Sequence, residues 1–370
     1  MFLSKMELKN FRNYHLLHLD LSPEVNILVG ANAQGKTNLL EAISLFCLGK
    51  SFRTRKESDL IRWGSDFFYI KGIFSGREHS DEIEIGLGKD QKKIKVNGTE
   101  TKGFTFFGQV PLVIFSPEDL QLIKGGPQFR RDFIDLYLAQ IAPQYRYVYL
   151  NYLKVLQQRN RLLKGNVKSV ELDVWNTQLV EKGIKIIQYR TSLIQRIKPY
   201  IRDAHQQISG DRERLNLDYL CMHKYPNPEP DESNLRKILT TELINLKQSE
   251  LERRITLVGP QRDDLLLTVN EGVALRDFGS QGQQRTAALA LKLGLIKVIK
   301  AVRESTPLLL LDDVMSEFDN QRRQSLLKML INSCQTFITA TTGADFPGLT
   351  KKAALFRVKD GEVNHVDQLL

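Results

Sequence analysis

Hydrophobic and polar residues alternate over short stretches in the first hundred positions, whereas apolar residues later in the chain recur at helical spacing. The alternation predicts a β-rich N-terminal region, in which Asn97-Gly98 forms the turn of a hairpin. Residues 129–163 and 172–201 are predicted to form long antiparallel helices. One apolar stripe of the second helix comprises Val180, Ile184, Ile187, Ile194, Ile197 and Ile201. The chain is therefore expected to combine a β-rich region with a helical lobe.

Two runs of mostly apolar residues predict strands, and the second, which contains only leucine, predicts a strand that is buried on both faces. They are residues 25–29 and the leucines at 308–311. Such strands are typical of parallel sheets whose two faces are covered by helices. Together with the predicted helices, they indicate an α/β fold.

The first buried strand leads into a phosphate-binding loop, or Walker A motif. Residues 30–37 fit G-x-x-x-x-G-K-T, and a helical pattern begins near Asn38. A glycine-rich turn at a helix N-terminus surrounds a triphosphate with backbone N–H groups, and the helix dipole favours negative charge. Lys36 is expected to neutralise the β and γ phosphates, and the Thr37 hydroxyl to bind Mg²⁺. The predicted ATP contacts in the loop are Gly30, Asn32, Gln34, Gly35, Lys36, Thr37 and Asn38.

The second buried strand ends in two carboxylates and forms a Walker B motif. Asp312 and Asp313 directly follow the four leucines. Ligands bind at the carboxyl ends of parallel strands, so both side chains should lie at the nucleotide. Asp312 is the predicted Mg²⁺ ligand. Asp313 is the predicted catalytic residue that orients the attacking water, at a position where many related ATPases carry Glu.

A third motif lies upstream of Walker B. Ser280, Gln281, Gly282 and Gln283 open a long helical pattern. They resemble the signature motif of ABC-type ATPases, which binds the γ-phosphate held by the P-loop of a second subunit through a helix N-terminus. The resemblance implies that Ser280 and Gly282 act in trans. Gln281 stands where that family usually has a second glycine, so its side chain either points away from the phosphate or contacts it.

Three accessory positions follow from the same comparison. Asp319 stands where the ABC class has a D-loop and is expected at the subunit boundary. Gln109 precedes an apolar strand and is a candidate for the catalytic glutamine of the Q-loop. No histidine follows the strand near residue 340, where transporters carry a switch histidine, and the hydroxyls of Thr341 or Thr342 are candidates to replace it.

A turn between the first two predicted strands is a further candidate for ATP binding. It contains Arg12 and Asn13, either of which could approach the phosphates. Arg12 could equally be a solvated turn residue. The sequence leaves both interpretations open.

Composition is ordinary for a soluble chain, with 42% hydrophobic and 26% charged residues. No apolar run of about eighteen residues appears, and the N-terminus lacks a signal-peptide core, so a cytoplasmic protein is expected. Cys47, Cys221 and Cys334 have no C-x-x-C spacing and are expected to be buried free thiols. The six histidines form no ligand cluster.

A net charge of +10 and a pI near 9.3 point to a polyanionic partner, for which DNA is the commonest fit. Each basic cluster taken alone is also compatible with a solvated face. The candidate DNA contacts are Arg53, Arg55, Lys56, Lys92, Lys93, Lys95, Arg130, Arg131, Arg159 and Arg161.

The motifs divide the chain into three predicted parts. Residues 1–117 form the first half of an ATPase domain with Walker A, 118–252 an inserted helical lobe, and 253–370 the second half with the signature and Walker B. Structural-maintenance-of-chromosomes and double-strand-break-repair ATPases share this split layout, with a much longer coiled coil in the gap. The predicted architecture is an ABC-type P-loop ATPase head with a β-rich N-terminal sheet and an inserted α-helical lobe.

The short insertion and several strings of residues make the chain similar to the RecF family of bacterial recombination mediators. The strings include Ser116-Pro117-Glu118-Asp119-Leu120, Gln158-Arg159-Asn160 and residues 258–264, Val-Gly-Pro-Gln-Arg-Asp-Asp. The resemblance extends from residues 8–12 to residues 358–361.

This resemblance implies a protein of DNA replication, repair and recombination, including the SOS response. It implies a homodimer around two ATP molecules with Mg²⁺, binding to duplex or gapped DNA, and partner mediators of the RecO and RecR type that help to load recombinase. Slow ATP hydrolysis is expected to reset the dimer.

Two other interpretations remain open at this point. A transporter-type ABC ATPase subunit shares all three motifs, although the missing switch histidine and the larger insertion argue against it. A DNA clamp that uses ATP only structurally is also compatible, because Asp313 is shorter than the usual Glu.

Overall fold

The computed structural model describes residues 1–76, 79–88, 91–101, 106–165, 169–210, 213–270, 272–317, 323–324, 326–327, 334–342 and 353–366. The chain divides into two compact units. The first unit comprises Met1–Pro117 and Ile299–Leu370, and the second comprises Glu118–Val298. The predicted limit at 252 is therefore not a boundary of either unit, because residues 253–298 pack with the insertion.

The elements of the first unit come from both ends of the chain. Residues before 118 form β1 (Phe2–Phe11), β2 (Tyr14–Asp20), β3 (Val25–Val29), α1 (Lys36–Leu48), a 3₁₀ turn (Glu57–Leu60), β4 (Phe68–Ser75), β5 (Ser80–Leu87), β6 (Lys92–Val96), β7 (Thr99–Glu100) and β8 (Leu112–Phe115).

The second unit begins after a 3₁₀ turn (Pro117–Leu120). Its elements are α2 (Gln121–Lys124), α3 (Pro127–Ile141), α4 (Pro143–Lys164), α5 (Ser169–Ser209), β9 (Leu215–Cys221), β10 (Tyr225–Pro226), α6 (Glu232–Asn245), α7 (Lys247–Arg253), a 3₁₀ turn (Pro260–Arg262), β11 (Asp264–Val269), β12 (Val273–Ala274), α8 (Leu275–Phe278) and α9 (Gln281–Arg303). The chain then continues with β13 (Leu308–Leu311), a 3₁₀ turn (Val314–Glu317), β14 (Thr336–Ala340), β15 (Ala353–Lys359) and β16 (Glu362–His365).

An antiparallel sheet in the order β2-β1-β4-β5-β6-β7 accounts for the alternating N-terminal sequence. Along β4, every second residue is buried, as expected for a sheet with one face on the core. The predicted hairpin is present between β6 and β7. Asn97 and Gly98 both have positive φ, 51° and 77°, which is the backbone that a two-residue type I′ turn needs.

A second sheet, in the order β16-β15-β3-β14-β13-β8, carries the nucleotide motifs. Its strands are parallel except for the edge pair β15–β16. Every residue of β3, β8, β13 and β14 is buried, so the two apolar runs form the central strands as predicted. The parallel sheet confirms the α/β fold class.

Helix α1 follows β3 and is buried along most of its length. Gly35 and Gly49 flank it with left-handed φ values of 116° and 62°, and the Gly49 N–H donates to the Leu45 carbonyl at 2.8 Å. A helix whose apolar side chains extend around most of its surface needs such burial. The phosphate-binding loop is therefore joined to a rigid core element.

The second unit contains the predicted helices and, in addition, a four-stranded antiparallel sheet in the order β10-β9-β11-β12. The six apolar residues that predicted one stripe of α5 are all buried. Strand β9 of the insertion pairs with β11 from Asp264↔Leu220 to Val269↔Leu215. This pairing explains why the unit extends past 252, and the lobe is mixed rather than purely helical.

Candidate nucleotide-binding site

The Walker A loop takes its shape from close backbone contacts that only glycine permits. A Cβ atom at Gly30 would lie 2.2 Å from the Val358 carbonyl oxygen. At Gly35, where φ is +116°, it would lie 2.5 Å from Asn13 Nδ2 and 2.7 Å from Tyr14 Oη. Gly30 is therefore required by the close approach of Val358, and Gly35 by both the close side chains and its left-handed backbone.

Two turns hold the loop from outside. In the β1–β2 turn, Asn13 Nδ2 donates to the Gln34 carbonyl at 3.0 Å, and Tyr14 Oη donates to the Gly35 carbonyl at 3.0 Å. In the β15–β16 turn, the Asp360 N–H donates to Gln34 Oε1 at 2.7 Å. Gln34 and Asn13 thus support the loop from behind, and neither lines the cavity described below.

Lys36 lies under the loop with only 4% of its surface exposed. Its ammonium donates to the carbonyls of Gly30 at 2.7 Å and Ala31 at 2.9 Å. A buried cation held by loop carbonyls is well placed to exchange them for phosphate oxygens.

The two Walker motifs meet through one hydrogen bond. Thr37 Oγ1 donates to Asp312 Oδ1 at 2.8 Å, and Thr339 Oγ1 of β14 donates to the same carboxylate oxygen at 3.0 Å. Burial raises the pKa of Asp312 and neighbouring Asp313 adds to the increase, while the two hydroxyl bonds oppose it. A nearby cation would therefore stabilise the ionised form of Asp312.

Asp313, the second residue after β13, has a left-handed backbone with φ of 50°. Its backbone N–H donates to Thr339 Oγ1 at 2.8 Å, and its carboxylate lies 3.4 Å from the same hydroxyl. This unusual backbone conformation brings the side chain to the wall of the phosphate cavity.

A cavity of about 260 Å³ opens over the loop. Its wall contains Asn32, Ala33, Gly35, Lys36, Thr37, Asn38, Arg53 and Asp313. Backbone amides, two cations and hydroxyl and carboxylate oxygens are the groups that a nucleotide phosphate with Mg²⁺ requires. For Mg²⁺, which favours oxygen ligands and usually takes one or two from protein, Thr37 and Asp312 are a chemically suitable pair.

Arg53 was a candidate DNA contact, but its side chain lines the nucleotide cavity instead. Its Nη1 donates to Asn38 Oδ1 at 3.0 Å, while Asn38 Nδ2 donates to Asn13 Oδ1 at 2.8 Å. The same guanidinium lies 3.6 Å from the buried carboxylate of Glu41. These contacts orient Arg53 along the α1 N-terminus and add positive charge to the phosphate site.

Arg12 contacts no part of the phosphate cavity. Its Nε and Nη2 form a bidentate pair with Glu41 at 2.8 Å each, and its Nη1 donates to the Asp59 carbonyl at 2.8 Å. The prediction that Arg12 reaches the phosphates is therefore wrong, and so is the solvated-turn alternative. The reason is Glu41, a fully buried carboxylate on α1 that requires a partner.

Gln109 lies at the wrong end of its strand for a Q-loop residue. Strand β8 runs parallel to β13, and the Asp312 N–H donates to the Phe115 carbonyl, so the C-terminal end of β8 is near Walker B. Gln109 precedes the opposite end, where the N–H of neighbouring Gly108 donates to the Cys47 carbonyl in the last turns of α1. Since α1 starts at the P-loop and is roughly 20 Å long, Gln109 cannot touch the nucleotide.

An unpredicted residue brings a hydroxyl to the Walker B aspartates. Thr339, inside β14, contacts both Walker B aspartates, whereas Thr341 and Thr342 after the strand are exposed. A threonine within a fully buried strand beside Walker B was the available signal, since its hydroxyl needs a polar partner. The D-loop candidate, Asp319, lies outside the described residues.

The signature residues form a capped helix start. Ser280 Oγ accepts from the Gln283 N–H at 3.2 Å, and Gln283 Oε1 accepts from the Ser280 N–H at 2.8 Å. This reciprocal pair is a capping box at the start of α9. Gly282 is half-buried in the first turn, and Gln281 is exposed, so its side chain points away from the helix packing.

Two of the predicted DNA contacts are buried and belong to the core of the second unit. Arg130 is 3% exposed and pairs with Asp264 through Nε and Nη2 at 2.5 and 2.9 Å. Arg159 is 1% exposed and donates to Glu250 Oε2 at 2.5 Å and to Thr256 Oγ1 at 2.8 Å. These two predictions are wrong, because acids from distant segments neutralise both guanidinium groups inside the core.

The other basic candidates differ in exposure. Arg131 is half-buried and donates to the Asp263 carbonyl at 2.7 Å, and Lys92 pairs with Glu57. Lys95 is half-buried, whereas four residues are exposed: Arg55, Lys56, Lys93 and Arg161.

The three cysteines are free thiols; Cys47 and Cys221 are buried and Cys334 is half-buried. Within the described residues, no group of three His, Cys, Asp or Glu side chains could hold a metal ion. No helix in the described part of the chain is long and apolar enough to cross a membrane.

A parallel sheet with Walker A after β3, Walker B after β13 and a signature helix defines an ABC-type ATPase head with an inserted lobe. A family model described as RecF/RecN/SMC N terminal domain matches residues 2–364. The chain therefore belongs to this family, and its relatives place it among the RecF proteins within it.

Relatives and solved structures agree with this assignment. The DNA replication and repair protein RecF of Bacillus cytotoxicus is 42% identical over 370 residues, with 98% of both chains covered. The protein of the same name from Bacillus thuringiensis is 42% identical over 372 residues with equal coverage. The structure of the recombination mediator protein RecF-ATP in the RecFOR pathway superposes with a TM-score of 0.90 at 36% identity, covering 99% of this chain and 97% of that chain. An Smc head domain shares the fold, with a TM-score of 0.59, 16% identity and coverage of 100% and 98%.

Proposed function

We propose that this chain is an ATP-binding protein of DNA replication and repair that acts as an ATP-dependent, DNA-binding dimer. The observation that carries the proposal is the bond between Thr37 and Asp312 at the wall of a cavity containing Lys36 and Arg53. A hydroxyl and a carboxylate joined beside two cations are the groups needed to bind a metal-bound triphosphate. Full-length relatedness to DNA repair proteins argues against the transporter alternative.

Five residues in or beside the cavity wall have defined roles in this proposal. Lys36 exchanges its two loop carbonyls for phosphate oxygens, and Arg53 supplies a second positive charge. Thr37 and Asp312 would hold Mg²⁺, which neutralises developing charge on the phosphates. Asp313 accepts a hydrogen bond from the attacking water and orients it toward the γ-phosphate.

The signature motif completes the site from a second copy of the chain. The start of α9 presents N–H groups and the positive end of the helix dipole to the γ-phosphate bound by the partner's loop. Nucleotide then contributes directly to the dimer interface, and hydrolysis weakens it. Slow hydrolysis that resets the dimer follows from this arrangement.

The partners follow from the relatives and from charge. Net positive charge favours duplex or gapped DNA, and membership of the RecFOR pathway in the relatives favours mediators of the RecO and RecR type. These activities belong in the cytoplasm, where chromosomal DNA and reduced thiols are found.

A second function is supported by Asp313. It replaces the usual longer Glu, and its backbone N–H is tied to Thr339, so its carboxylate has little freedom to follow a water molecule. A clamp that binds ATP without meaningful turnover would result. Turnover equal to that of Asp313→Asn would favour this clamp.

The trans arrangement can be tested by mixing two defective proteins. Lys36→Ala removes the P-loop cation, and Ser280→Arg blocks the signature; each variant alone should lack ATP-dependent dimers and turnover. A mixed dimer contains one intact site, with Lys36 from one chain and Ser280 from the other. Recovery of turnover on mixing supports the proposal. The proposal is contradicted if mixing restores no turnover and light scattering shows that the wild-type protein stays monomeric in ATP. Asp313→Asn should trap the dimer.

A further inference from the structure

The signature serine is held by a side chain that depends on a third residue. Gln283 uses its Oε1 to accept the Ser280 N–H at 2.8 Å and its Nε2 to donate to Glu213 Oε1 at 2.7 Å. Glu213 lies 70 residues earlier in the chain and belongs to none of the nucleotide motifs. The amide of Gln283 therefore bridges the signature serine and a carboxylate of the insertion.

Glu213 is itself well anchored. It lies two residues before β9. The next residue, Arg214, exchanges two bonds with Asn270: the Arg214 N–H donates to Asn270 Oδ1 at 3.0 Å, and the Asn270 N–H donates to the Arg214 carbonyl at 2.9 Å. The imidazole Nε2 of His205, fully buried on α5, lies 3.8 Å from Glu213 Oε2. The side chain of Glu213 is only 21% exposed.

A second contact connects α9 directly with α5. A Cβ atom at Gly294 of α9 would lie 2.9 Å from Ile201 Cγ1 and 3.0 Å from Ile197 Cγ1 of α5. The two helices therefore approach closely where α9 has no side chain. Close packing fixes the body of α9, and the Glu213–Gln283 bond fixes its first turn.

We propose that Glu213 is a positioning residue for the signature motif. By holding the amide of Gln283, it fixes the capping box and thereby the direction of the Ser280 hydroxyl and N–H. The inference rests on the proposed function, because it takes Ser280 to contact the γ-phosphate bound by a second copy of the chain.

The negative charge of Glu213 predicts a different effect on phosphate binding, and the two effects can be distinguished by experiment. A carboxylate near a phosphate-binding helix start repels phosphate, so its removal would strengthen binding if charge were its main effect. If its effect is to accept the Gln283 bond, Glu213→Gln should preserve function, because the introduced amide oxygen still accepts. Glu213→Ala should impair function, because the Gln283 amide then loses its fixed partner.

The decisive experiment is a swap of the two side chains. Gln283→Glu alone sets two carboxylates against each other and should disrupt the cap. Combined with Glu213→Gln, the hydrogen bond is restored in the opposite direction, while the second oxygen of the introduced glutamate still accepts from Ser280. We expect Glu213→Ala and Gln283→Glu to lower kcat roughly tenfold to a hundredfold, with the swap recovering most of it.

The readouts separate positioning from folding and from nucleotide binding in cis. ATP affinity of the dilute monomer, measured with a fluorescent ATP analogue, should stay unchanged in every variant, while ATP-dependent mass by light scattering and kcat should fall. Glu232→Ala serves as the control, since Glu232 is an exposed residue of the same unit paired with Arg236.

Two outcomes would overturn the inference. Glu213→Ala could match wild type in dimer formation and kcat, or the swap could remain as defective as Gln283→Glu alone. A wild-type protein that stays monomeric in ATP would instead contradict the proposed function, so the two failures are distinguishable.

Discussion

Thr339 offers a sharp test of the Walker B geometry. Thr339→Val keeps the shape of the side chain but replaces the hydroxyl by a methyl group. The variant loses the acceptor for the Asp313 N–H at 2.8 Å and the donor to Asp312 Oδ1 at 3.0 Å. Asp312 keeps its bond from Thr37, so the metal-binding carboxylate remains partly satisfied.

The size of the effect follows from these two bonds. A buried donor without a partner costs about 1–3 kcal/mol, and a lost bond to a charged group costs about 1.5–3 kcal/mol. The additional buried methyl group offsets about 1 kcal/mol. We expect the free energy of unfolding to fall by about 2–4 kcal/mol, which for a chain of 370 residues corresponds to a melting temperature about 3–5 °C lower.

The same substitution should also change the response to Mg²⁺. The Thr339 bond lowers the pKa of Asp312, so its loss raises that pKa further and weakens the carboxylate as a ligand. A higher Mg²⁺ concentration should then be needed for half-maximal ATP binding. Urea unfolding and Mg²⁺ titrations with a fluorescent ATP analogue measure the two effects.

Two variants control this experiment. Thr339→Ser keeps the hydroxyl and should resemble wild type in its Mg²⁺ response. Thr336→Val, in the same strand, loses only a local bond to the Cys334 carbonyl at 3.0 Å. The reasoning would be refuted by Thr339→Val and Thr336→Val behaving alike in both stability and Mg²⁺ dependence.

Three further predictions concern charged residues. Arg53→Ala should weaken ATP binding roughly tenfold, because a hydrogen-bonded cation is lost from the cavity, whereas Arg55→Ala should not; equal effects in a nucleotide titration would contradict the placement of Arg53. Arg190 is buried and pairs with Asp135 and Asp263 at 2.9 Å each. Arg190→Met should lower the free energy of unfolding by about 3–5 kcal/mol in urea, because it leaves these two buried aspartates without their cation, and a loss below about 1 kcal/mol would count against their burial as ions. Burial raises the pKa of Asp312 above its unfolded value, so this group makes the free energy of unfolding fall as pH rises between the two values. Binding of Mg²⁺ with ATP needs the ionised form of Asp312 and should strengthen as pH rises through the raised pKa of this group, and the same pH dependence in Asp312→Asn would disprove its origin.

The nucleotide loops could be predicted because their chemistry is local. The glycines, lysine and threonine lie within residues 30–37, and Asp312 directly follows its strand, so spacing alone predicted that they lie close together, as the bond between Thr37 and Asp312 shows. The helix that starts after Ser280 has the same local character. Each of these predictions needed only the strand or helix next to the motif.

Residues whose partners are distant in sequence could not be placed in this way. Arg130 and Asp264 are 134 residues apart, and Arg159 and Glu250 are 91 apart, so an arginine on a helix gave no sign of a buried carboxylate opposite it. Gln109 was a different kind of error, since it was assigned to the start of a parallel strand although ligands bind at the carboxyl ends. The direction of strand β8 was therefore enough to exclude Gln109 from the nucleotide site.

The buried arginines do not weaken the electrostatic argument for DNA. Arg190 pairs with both Asp135 and Asp263, while Arg130 and Arg159 each pair with one acid. These core clusters therefore bury four carboxylates and three guanidinium groups. The excess of positive charge at the surface is not reduced by their burial. What changes is where contact with DNA should be sought.

The proposal of DNA binding now depends on exposed cations in two regions. Arg55 and Lys56 lie shortly after Arg53, which lines the nucleotide cavity, and Lys93 lies on β6 of the same unit. Arg161 is exposed near the end of α4 in the second unit. Because each phosphate contact releases counterions, substitution of a true contact should reduce the salt dependence of binding, whereas substitution of a solvated lysine should leave the slope unchanged. The salt slope, more than affinity alone, therefore distinguishes DNA contacts from ordinary surface charge.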